Sequence, residues 1–139
     1  MAHDRPAALV TGSASGIGRA AALRLARAGY DVAINYSRSG DTAANTLAEL
    51  ESLGGRHLVL RADVSDDTAV RSLVATVGET YGRLDALVNN AGMTSQTPPD
   101  DLDGVDLAEW DRVFAVNVRG LFQVTRACAA RLQPPAAAW

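Results

Sequence analysis

Short apolar runs alternate along this chain with longer segments in which apolar residues recur every three or four positions. Four of the runs contain no polar residue, at positions 7–10, 32–34, 58–60 and 86–88. Strands that are buried on both faces of a parallel sheet show this pattern, and the helix-period segments between them supply the crossovers. The sequence therefore predicts an α/β fold with a doubly wound parallel sheet.

Three helices are predicted between the runs, and each is followed by glycine. The first covers residues 17–28, and its predicted inner face consists of Ile17, Ala21, Leu25 and Ala28. The second covers residues 41–53. The third follows the acidic residues 66–67, ends at Gly82 and has the longest apolar stripe, formed by Val70, Leu73, Val74, Val77 and Tyr81.

A fourth helix is predicted over residues 107–132. Its apolar stripe consists of Trp110, Val113, Phe114, Leu121 and Val124. Asn117 lies on the same stripe, and a buried amide there requires hydrogen-bond partners. The pattern alone is compatible with a structural Asn that ties the helix to the sheet and with a functional one.

Two segments are predicted to be irregular. The polar stretch between Gly92 and Leu107 contains prolines and aspartates, and we expect a surface loop at the carboxyl edge of the sheet, where ligand sites commonly lie. Residues 133–139, which include Pro134 and Pro135, are expected to form an irregular tail. Residues 1–139 together have the size of a single domain.

A glycine-rich segment separates the first predicted strand from the first predicted helix. It runs from Thr11 to Gly18 with the sequence TGSASGIG. Glycines at such a turn let backbone N–H groups at a helix N-terminus approach a phosphate, and the helix dipole favours the anion. The same glycines also occur in tight turns that bind nothing, so nucleotide binding depends on the context of the segment.

The composition of the chain indicates which kinds of ligand or partner it could bind. The formal net charge is −3 without a basic cluster, which argues against a nucleic-acid or polybasic membrane interaction and favours a small-molecule ligand. No apolar run is long enough to span a membrane, so we expect a cytoplasmic protein. Cys128 is the only cysteine and is interpreted as a small helix residue, and no metal-ligand spacing occurs. All thirteen basic residues are arginine.

Four motifs in this order resemble the short-chain dehydrogenase/reductase family. They are the glycine segment, Asp63-Val64, Asn89-Asn90-Ala91-Gly92, and Asn117 within Val116-Asn117-Val118. The resemblance covers the N-terminal half of a typical member, and the sequence is most similar to 3-oxoacyl-carrier-protein reductases. It implies a Rossmann-type sheet that is truncated after the fourth strand and the helix that follows.

The resemblance also implies cofactor contacts. In the glycine segment, the residues implied to carry the pyrophosphate are Gly12, Ser13, Ser15, Gly16, Ile17 and Gly18. Asp63 and Val64 would contact the adenine, although Asp63 could instead serve as a helix-entry residue before Ser65. Asn90, Ala91 and Gly92 would line the floor beneath the nicotinamide-side ribose, whereas Asn89 would stabilise the sheet.

The family's catalytic set is an Asn, a Ser, a Tyr and a Lys, with the Lys four residues after the Tyr so that its charge lowers the phenol pKa. Asn117 matches the first member. Tyr30, Tyr36 and Tyr81 are the only tyrosines, and none is followed by lysine because the chain contains none. Arginine is a poor substitute, since it does not titrate near neutral pH. The proton-transfer residues are therefore absent from this sequence.

Cofactor preference is predicted from the end of the second strand. NAD-binding folds usually carry an acid there, about 20 residues past the glycine loop. This chain has Ser37 and Arg38 instead, which could bind a 2′-phosphate by hydrogen bonds and charge, although Arg38 could also be a solvated loop arginine. The sequence predicts NADP over NAD.

Two functions remain open. The chain is either the NADP(H)-binding portion of an oxidoreductase that acts on a carbonyl or alcohol substrate, or a non-catalytic module that binds a nucleotide or a partner. The fourth strand would be an open sheet edge, and Trp110, Phe114 and Phe122 would lack cover. We therefore expect marginal stability with self-association, or binding of a complementing chain.

Overall fold

Four parallel strands form one sheet in the order β3-β2-β1-β4, in a computed structural model that describes residues 4–132. The strands are β1 (Ala7–Val10), β2 (Asp31–Tyr36), β3 (Leu58–Arg61) and β4 (Ala86–Val88). Each predicted apolar run lies within one of them. The α/β class and the parallel sheet are confirmed, and a single helical run follows β4.

Both faces of the sheet are covered, which explains why the strands are apolar without alternation. On central β1, Leu9 pairs in register with Ala33 of β2 and Leu87 of β4. Leu9 belongs to the core cluster that includes residues of the third and last helices, whereas Val10 belongs to the cluster of the first and second. Adjacent residues of one strand thus serve two hydrophobic layers.

The helices are α1 (Gly16–Arg27), α2 (Gly40–Ser52), α3 (Asp67–Tyr81), α4 (Leu107–Phe114) and α5 (Leu121–Ala129), with a π-helical segment at Ala115–Gly120. Their ends follow the predicted signals. The Asp66 side chain accepts hydrogen bonds from two N–H groups in the first turn of α3, and Gly82 ends that helix in the left-handed region at φ 71°. The predicted stripe of α3 is buried throughout.

The predicted inner face of α1 is correct only in part: Ala21 and Leu25 are partly buried against the core, but Ile17 and Ala28 are exposed. Gly18, Ala22, Leu23 and Ala26 are buried, while Ile17 is 82% exposed. Periodicity gave the repeat, but the rotation of the helix is set by Gly18, which packs against the glycine segment and Asn90 and leaves no room for a side chain. Ile17 is therefore turned outward.

The helix predicted over residues 107–132 is one helical run, but it ends at Ala129 and contains the π-helical segment. A π turn contains one residue more than an α turn. Residues beyond the π-helical segment therefore lie on a different face of the helical run than an uninterrupted α-helical spacing predicts. The inner face of α5 is formed by Gln123, Val124 and Cys128, whereas Trp110 and Phe114 are 54% and 49% exposed and stack on each other. Asn117, predicted on a buried stripe, is exposed.

The segment between β4 and α4 is irregular, as predicted. Cys128 is fully buried in α5, which fits its interpretation as a small helix residue. The tail predicted for residues 133–139 lies outside the described residues. Across residues 4–132, none of the helices has the length and apolar character needed to cross a membrane.

Candidate functional site

The glycine segment links the carboxyl end of β1 to α1, beside the carboxyl end of β4. Gly12 and Gly16 both adopt left-handed backbone angles, with φ of 60° and 59°. The two positions differ in their surroundings. A Cβ on Gly12 would lie 2.7 Å from the Cα of Ala91, whereas a Cβ on Gly16 would meet nothing within 4 Å. Close packing against Ala91 therefore requires glycine at position 12, whereas the space beside Gly16 is open.

Gly18 is the most crowded glycine of the segment. A Cβ there would collide with the Asn90 amide nitrogen and would lie 2.5 Å from the Gly12 carbonyl oxygen. The glycines predicted to admit a phosphate therefore have a second role, because two of the three let the loop pack against the segment after β4.

Thr11 and Asn90 join the ends of β1 and β4. The Thr11 hydroxyl accepts hydrogen bonds from the N–H groups of Asn90 and Ala91, each at 3.0 Å. In return the Asn90 side chain donates to the carbonyl oxygens of Thr11 and Gly12, at 3.2 and 2.9 Å. Four hydrogen bonds thus fix two loops that are 79 residues apart in sequence.

Asn35, the polar residue near the end of β2, holds the glycine segment from the other side. Its side chain accepts from the Gly12 N–H at 3.2 Å and donates to the Ala62 carbonyl oxygen at 3.1 Å. The fully buried Ser13 donates to the Val10 carbonyl at 2.6 Å and accepts from the Asn35 N–H at 3.0 Å. The Ser13 hydroxyl therefore both donates and accepts hydrogen bonds within the protein.

The N-terminus of α1 has the features of an anion-binding site. Its N-cap, Ser15, makes no side-chain capping hydrogen bond, and its first turn contains no acidic residue. By contrast, α2, α3 and α4 all carry an acid in the first turn. The unsatisfied N–H groups and the helix dipole leave partial positive charge beside the open space at Gly16.

A cleft of about 350 Å³ opens along the carboxyl edge of the sheet. It is lined by the glycine segment, by the ends of β2 and β3 and by the segment after β4. Among its lining residues, those predicted as site residues are Gly12, Ser15, Ser37, Arg38, Asp63, Val64, Ala91 and Gly92. The other predicted cofactor-binding residues, Ser13, Gly16, Ile17, Gly18 and Asn90, are not among its lining residues. The structure thus brings together motifs from the whole chain.

Asp63 enters the cleft just beyond β3. Its Oδ1 accepts hydrogen bonds from the Ser65 hydroxyl at 2.7 Å and the Ser65 N–H at 2.9 Å, which is the helix-entry role. These bonds lower the pKa of Asp63, and the positive charges of Arg112 and Arg38 lower it further, against the effect of burial. The carboxylate therefore stays ionised at neutral pH. Contact with an adenine remains a prediction for Asp63 and for the neighbouring Val64.

Asn117 lies in the π-helical segment and holds the loop after β4. Its Oδ1 accepts from the Met93 N–H and its Nδ2 donates to the Met93 carbonyl, both at 2.8 Å. Met93 and Gly92 line the cleft. The amide thus ties the helical run to the loop and not to the sheet. Asn89 makes the connection to α5, donating to the Thr125 hydroxyl at 3.0 Å.

Eight of the sixteen residues that line the cleft were not predicted as site residues, among them Asn35, Met93 and Arg112, and Thr11 was not predicted either. Thr11 and Asn35 shape the glycine segment, Met93 lines the cleft, and Arg112 extends into it from α4. A polar residue at the end of an apolar strand was a usable signal for Asn35. Arg112 gave none, because helix surfaces are usually charged. Within residues 4–132 no cluster of His, Cys, Asp and Glu could hold a metal ion.

Comparisons with known proteins agree with this architecture. The profile of the short chain dehydrogenase family matches residues 6–137. The L-rhamnose 1-dehydrogenase (NAD(P)(+)) of Sphingomonas sp. is 41% identical over 89% of this chain and 48% of its own length. The 3-oxoacyl-[acyl-carrier-protein] reductase FabG of Staphylococcus aureus is 40% identical over 83% of this chain and 46% of its own.

A solved structure extends the likeness to three dimensions. The short chain dehydrogenase of Burkholderia cenocepacia in complex with NADP superposes with a TM-score of 0.86 at 43% identity, over 91% of this chain and 51% of that one. The chain thus spans about half the length of these three relatives. The match of the family profile to residues 6–137, together with the sequence identity and structural similarity to these relatives, shows that the chain belongs to the short-chain dehydrogenase/reductase family of oxidoreductases.

Proposed function

We propose that this chain binds NADP(H) and forms the cofactor-binding portion of an oxidoreductase that transfers hydride between NADP(H) and a carbonyl or alcohol substrate. The observation that carries the proposal is the cleft, in which an uncapped helix N-terminus and Arg38 line one continuous edge of the sheet. The pyrophosphate would lie over Gly16, and the adenosine end would lie toward Ser37 and Arg38.

Preference for NADP(H) over NAD(H) rests on charge at the end of β2. Neither Ser37 nor Arg38 would repel a 2′-phosphate, and residues 35–39 contain no carboxylate that could bind the ribose hydroxyls. Within the described residues the Arg38 guanidinium forms no hydrogen bond or ion pair, so its donors are available to a ligand. The Burkholderia relative carries NADP, while the Sphingomonas relative is named for both cofactors, so both outcomes occur among similar proteins.

Titration calorimetry with the purified chain tests this preference. We expect NADPH to bind more tightly than NADH, and Arg38→Ala to weaken NADPH by about tenfold or more while leaving NADH nearly unchanged, because a charge-assisted contact to the 2′-phosphate is lost. Arg27→Ala, on the exposed last turn of α1, is the matched control. Tighter NADH binding, or no effect of Arg38→Ala, contradicts the proposal.

We further propose that this chain alone does not turn over substrate. General acid–base help is typically worth 10²–10⁴-fold, and no lysine is present to activate a tyrosine. Tyr81, for example, is buried in the core, and burial raises its pKa. A phenol in this setting is a poor general acid or base near neutral pH. We expect no NADPH oxidation above background with keto-ester or quinone substrates. Robust turnover by protein of verified mass would refute this.

Self-association or binding of a complementing chain is the second candidate function. It is favoured by the outer edge of β4, which pairs only with β1 among the described strands. It is also favoured by the exposure of Trp110, Phe114 and Phe122, which are 54%, 49% and 56% exposed. Open edges and apolar patches of this kind commonly mark interaction sites. Size-exclusion chromatography with light scattering tests it, and a monodisperse, sharply melting monomer is the contrary result.

A further inference from the structure

A second cavity of about 380 Å³ adjoins the cofactor cleft at the end of β2. Its lining comes from β3, from the loops after β2 and β3, from α3 and from α4, and it shares five residues with the cleft. Those shared residues are Ser37, Arg38, Ala62, Asp63 and Arg112. The adenosine end of the cleft is therefore continuous with a space into which a group on the ribose could project.

Charge in this second cavity is strongly unbalanced. Three guanidinium groups, those of Arg38, Arg61 and Arg112, face a single carboxylate, that of Asp63. Oδ1 of Asp63 already accepts two hydrogen bonds from Ser65. The cavity has the composition of an anion site, since guanidinium groups match phosphate oxygens in charge and geometry.

The three arginines differ in their availability. Arg61 donates from Nε to the Ser37 carbonyl oxygen at 3.1 Å, which fixes the backbone of the loop after β2. Arg38 and Arg112 form no side-chain hydrogen bond or ion pair within residues 4–132, whereas other arginines, such as Arg83 and Arg126, are ion-paired there. Arg38 and Arg112 are thus the two free cations of the cavity.

Arg112 comes from a different element than Arg38. It lies on α4, whereas Arg38 lies in the loop between β2 and α2. Arg38, Arg112 and Asp63 all line both the cleft and the second cavity, so the two arginines border the same space. Their charges also lower the pKa of Asp63, after the larger effect of the Ser65 hydrogen bonds. An anion in the cavity would therefore be held from two sides.

We propose that Arg112 is a specificity-determining residue that shares the 2′-phosphate of NADP(H) with Arg38, an inference that rests on the proposed cofactor function. Arg61 acts as a positioning residue through Ser37. A consequence follows for α4, none of whose residues is buried. Because this helix has little packing of its own, a phosphate bound by Arg112 and Arg38 together would hold α4 against the cleft.

Two measurements test the proposal on the intact chain. The first is titration of wild type, Arg112→Ala and Arg112→Gln with NADPH and NADH. We expect either substitution to weaken NADPH by about tenfold and NADH by less than about twofold, as for loss of one charge-assisted contact. Arg119→Ala is the matched control, because Arg119 is exposed on the same helical run and outside both cavities.

The second measurement is amide hydrogen exchange over α4. NADPH should slow exchange of residues 107–114 more than NADH does, and Arg112→Gln should abolish the difference. An equal loss of affinity for NADPH and NADH would mean that Arg112 contacts the adenine, and an unchanged affinity for NADPH would mean that Arg112 makes no contact. Either result overturns the inference but leaves the proposed dinucleotide binding intact. If wild type binds neither dinucleotide, the proposed function fails and the inference fails with it.

Discussion

The side chain of Asn117 forms hydrogen bonds with both backbone polar groups of Met93, accepting from its N–H and donating to its carbonyl oxygen at 2.8 Å each. This reciprocal pair is the contact by which the π-helical segment fixes the wall of the cleft. Because an amide is both donor and acceptor, no other side chain of this size reproduces the pair.

Asn117→Ala should loosen the loop after β4. Removing both hydrogen bonds, each worth about 1 kcal/mol, should accelerate amide exchange at Met93 by about tenfold or more with a smaller change in overall stability, because Asn117 is exposed. Asn117→Asp keeps only the acceptor and should give an intermediate rate. Val118→Ala, an exposed neighbour, is the control. Unchanged exchange at Met93 would show that the loop is held by other contacts.

Substitution of two glycines in the same loop should have very different costs. Gly18→Ala puts a methyl group into the Asn90 amide and the Gly12 carbonyl, both of which belong to the hydrogen-bonded scaffold, so we expect a loss of about 3 kcal/mol or more. Gly16→Ala meets no atom and adds only the strain of a positive φ, about 1–2 kcal/mol. Urea denaturation measures both, and equal losses would contradict the argument.

Thr11→Val removes an acceptor without changing the shape of the side chain. Thr11 is 1% exposed, so the N–H groups of Asn90 and Ala91 would lose their partner in a buried setting, at a cost of about 2 kcal/mol or more. Thr11→Ser keeps the hydroxyl and loses one methyl group, which should cost about 1 kcal/mol. If Thr11→Ser proved the more destabilising change, packing and not hydrogen bonding would dominate at this position.

Asp85 should make part of the stability sensitive to acid. It forms two hydrogen bonds with Arg83, at 2.8 and 2.6 Å, and accepts from the Ala7 N–H at 2.8 Å. The bonds from Arg83 lower the pKa of Asp85 most, and the Ala7 N–H adds to this against the effect of burial.

Because the folded pKa lies below that of the unfolded chain, near 3.9, this stabilisation is complete above about pH 5 and is lost as the pH falls through the folded pKa. Asp85→Asn should cost about 1–2 kcal/mol at pH 7 and much less below pH ~3. Denaturation at several pH values measures the difference. A loss that does not change with pH would show that Asp85 acts through its shape and not its charge.

Sequence alone determined the class of fold and the identity of half of the sixteen residues that line the cleft. Uninterrupted apolar runs can only be satisfied by burial on both faces, and parallel strands bring their carboxyl ends to one edge, so Gly12, Asp63 and Ala91 had to meet there. The positions of the strands, though not all of their bounds, also followed from the local sequence. So did the left-handed glycines after the first three helices, because glycine alone adopts such angles without a steric penalty.

Tertiary structure decided what periodicity leaves free. The 3.6-residue repeat gives the spacing of a helix face but not its rotation, which close packing at Gly18 fixes, leaving Ile17 outside. Asn117 was predicted on a buried stripe from α-helical spacing, and that spacing does not hold in the π-helical segment. Likewise, only the folded chain brings Arg112 beside Arg38, since contacts between residues 74 positions apart depend on how whole elements pack and not on local sequence.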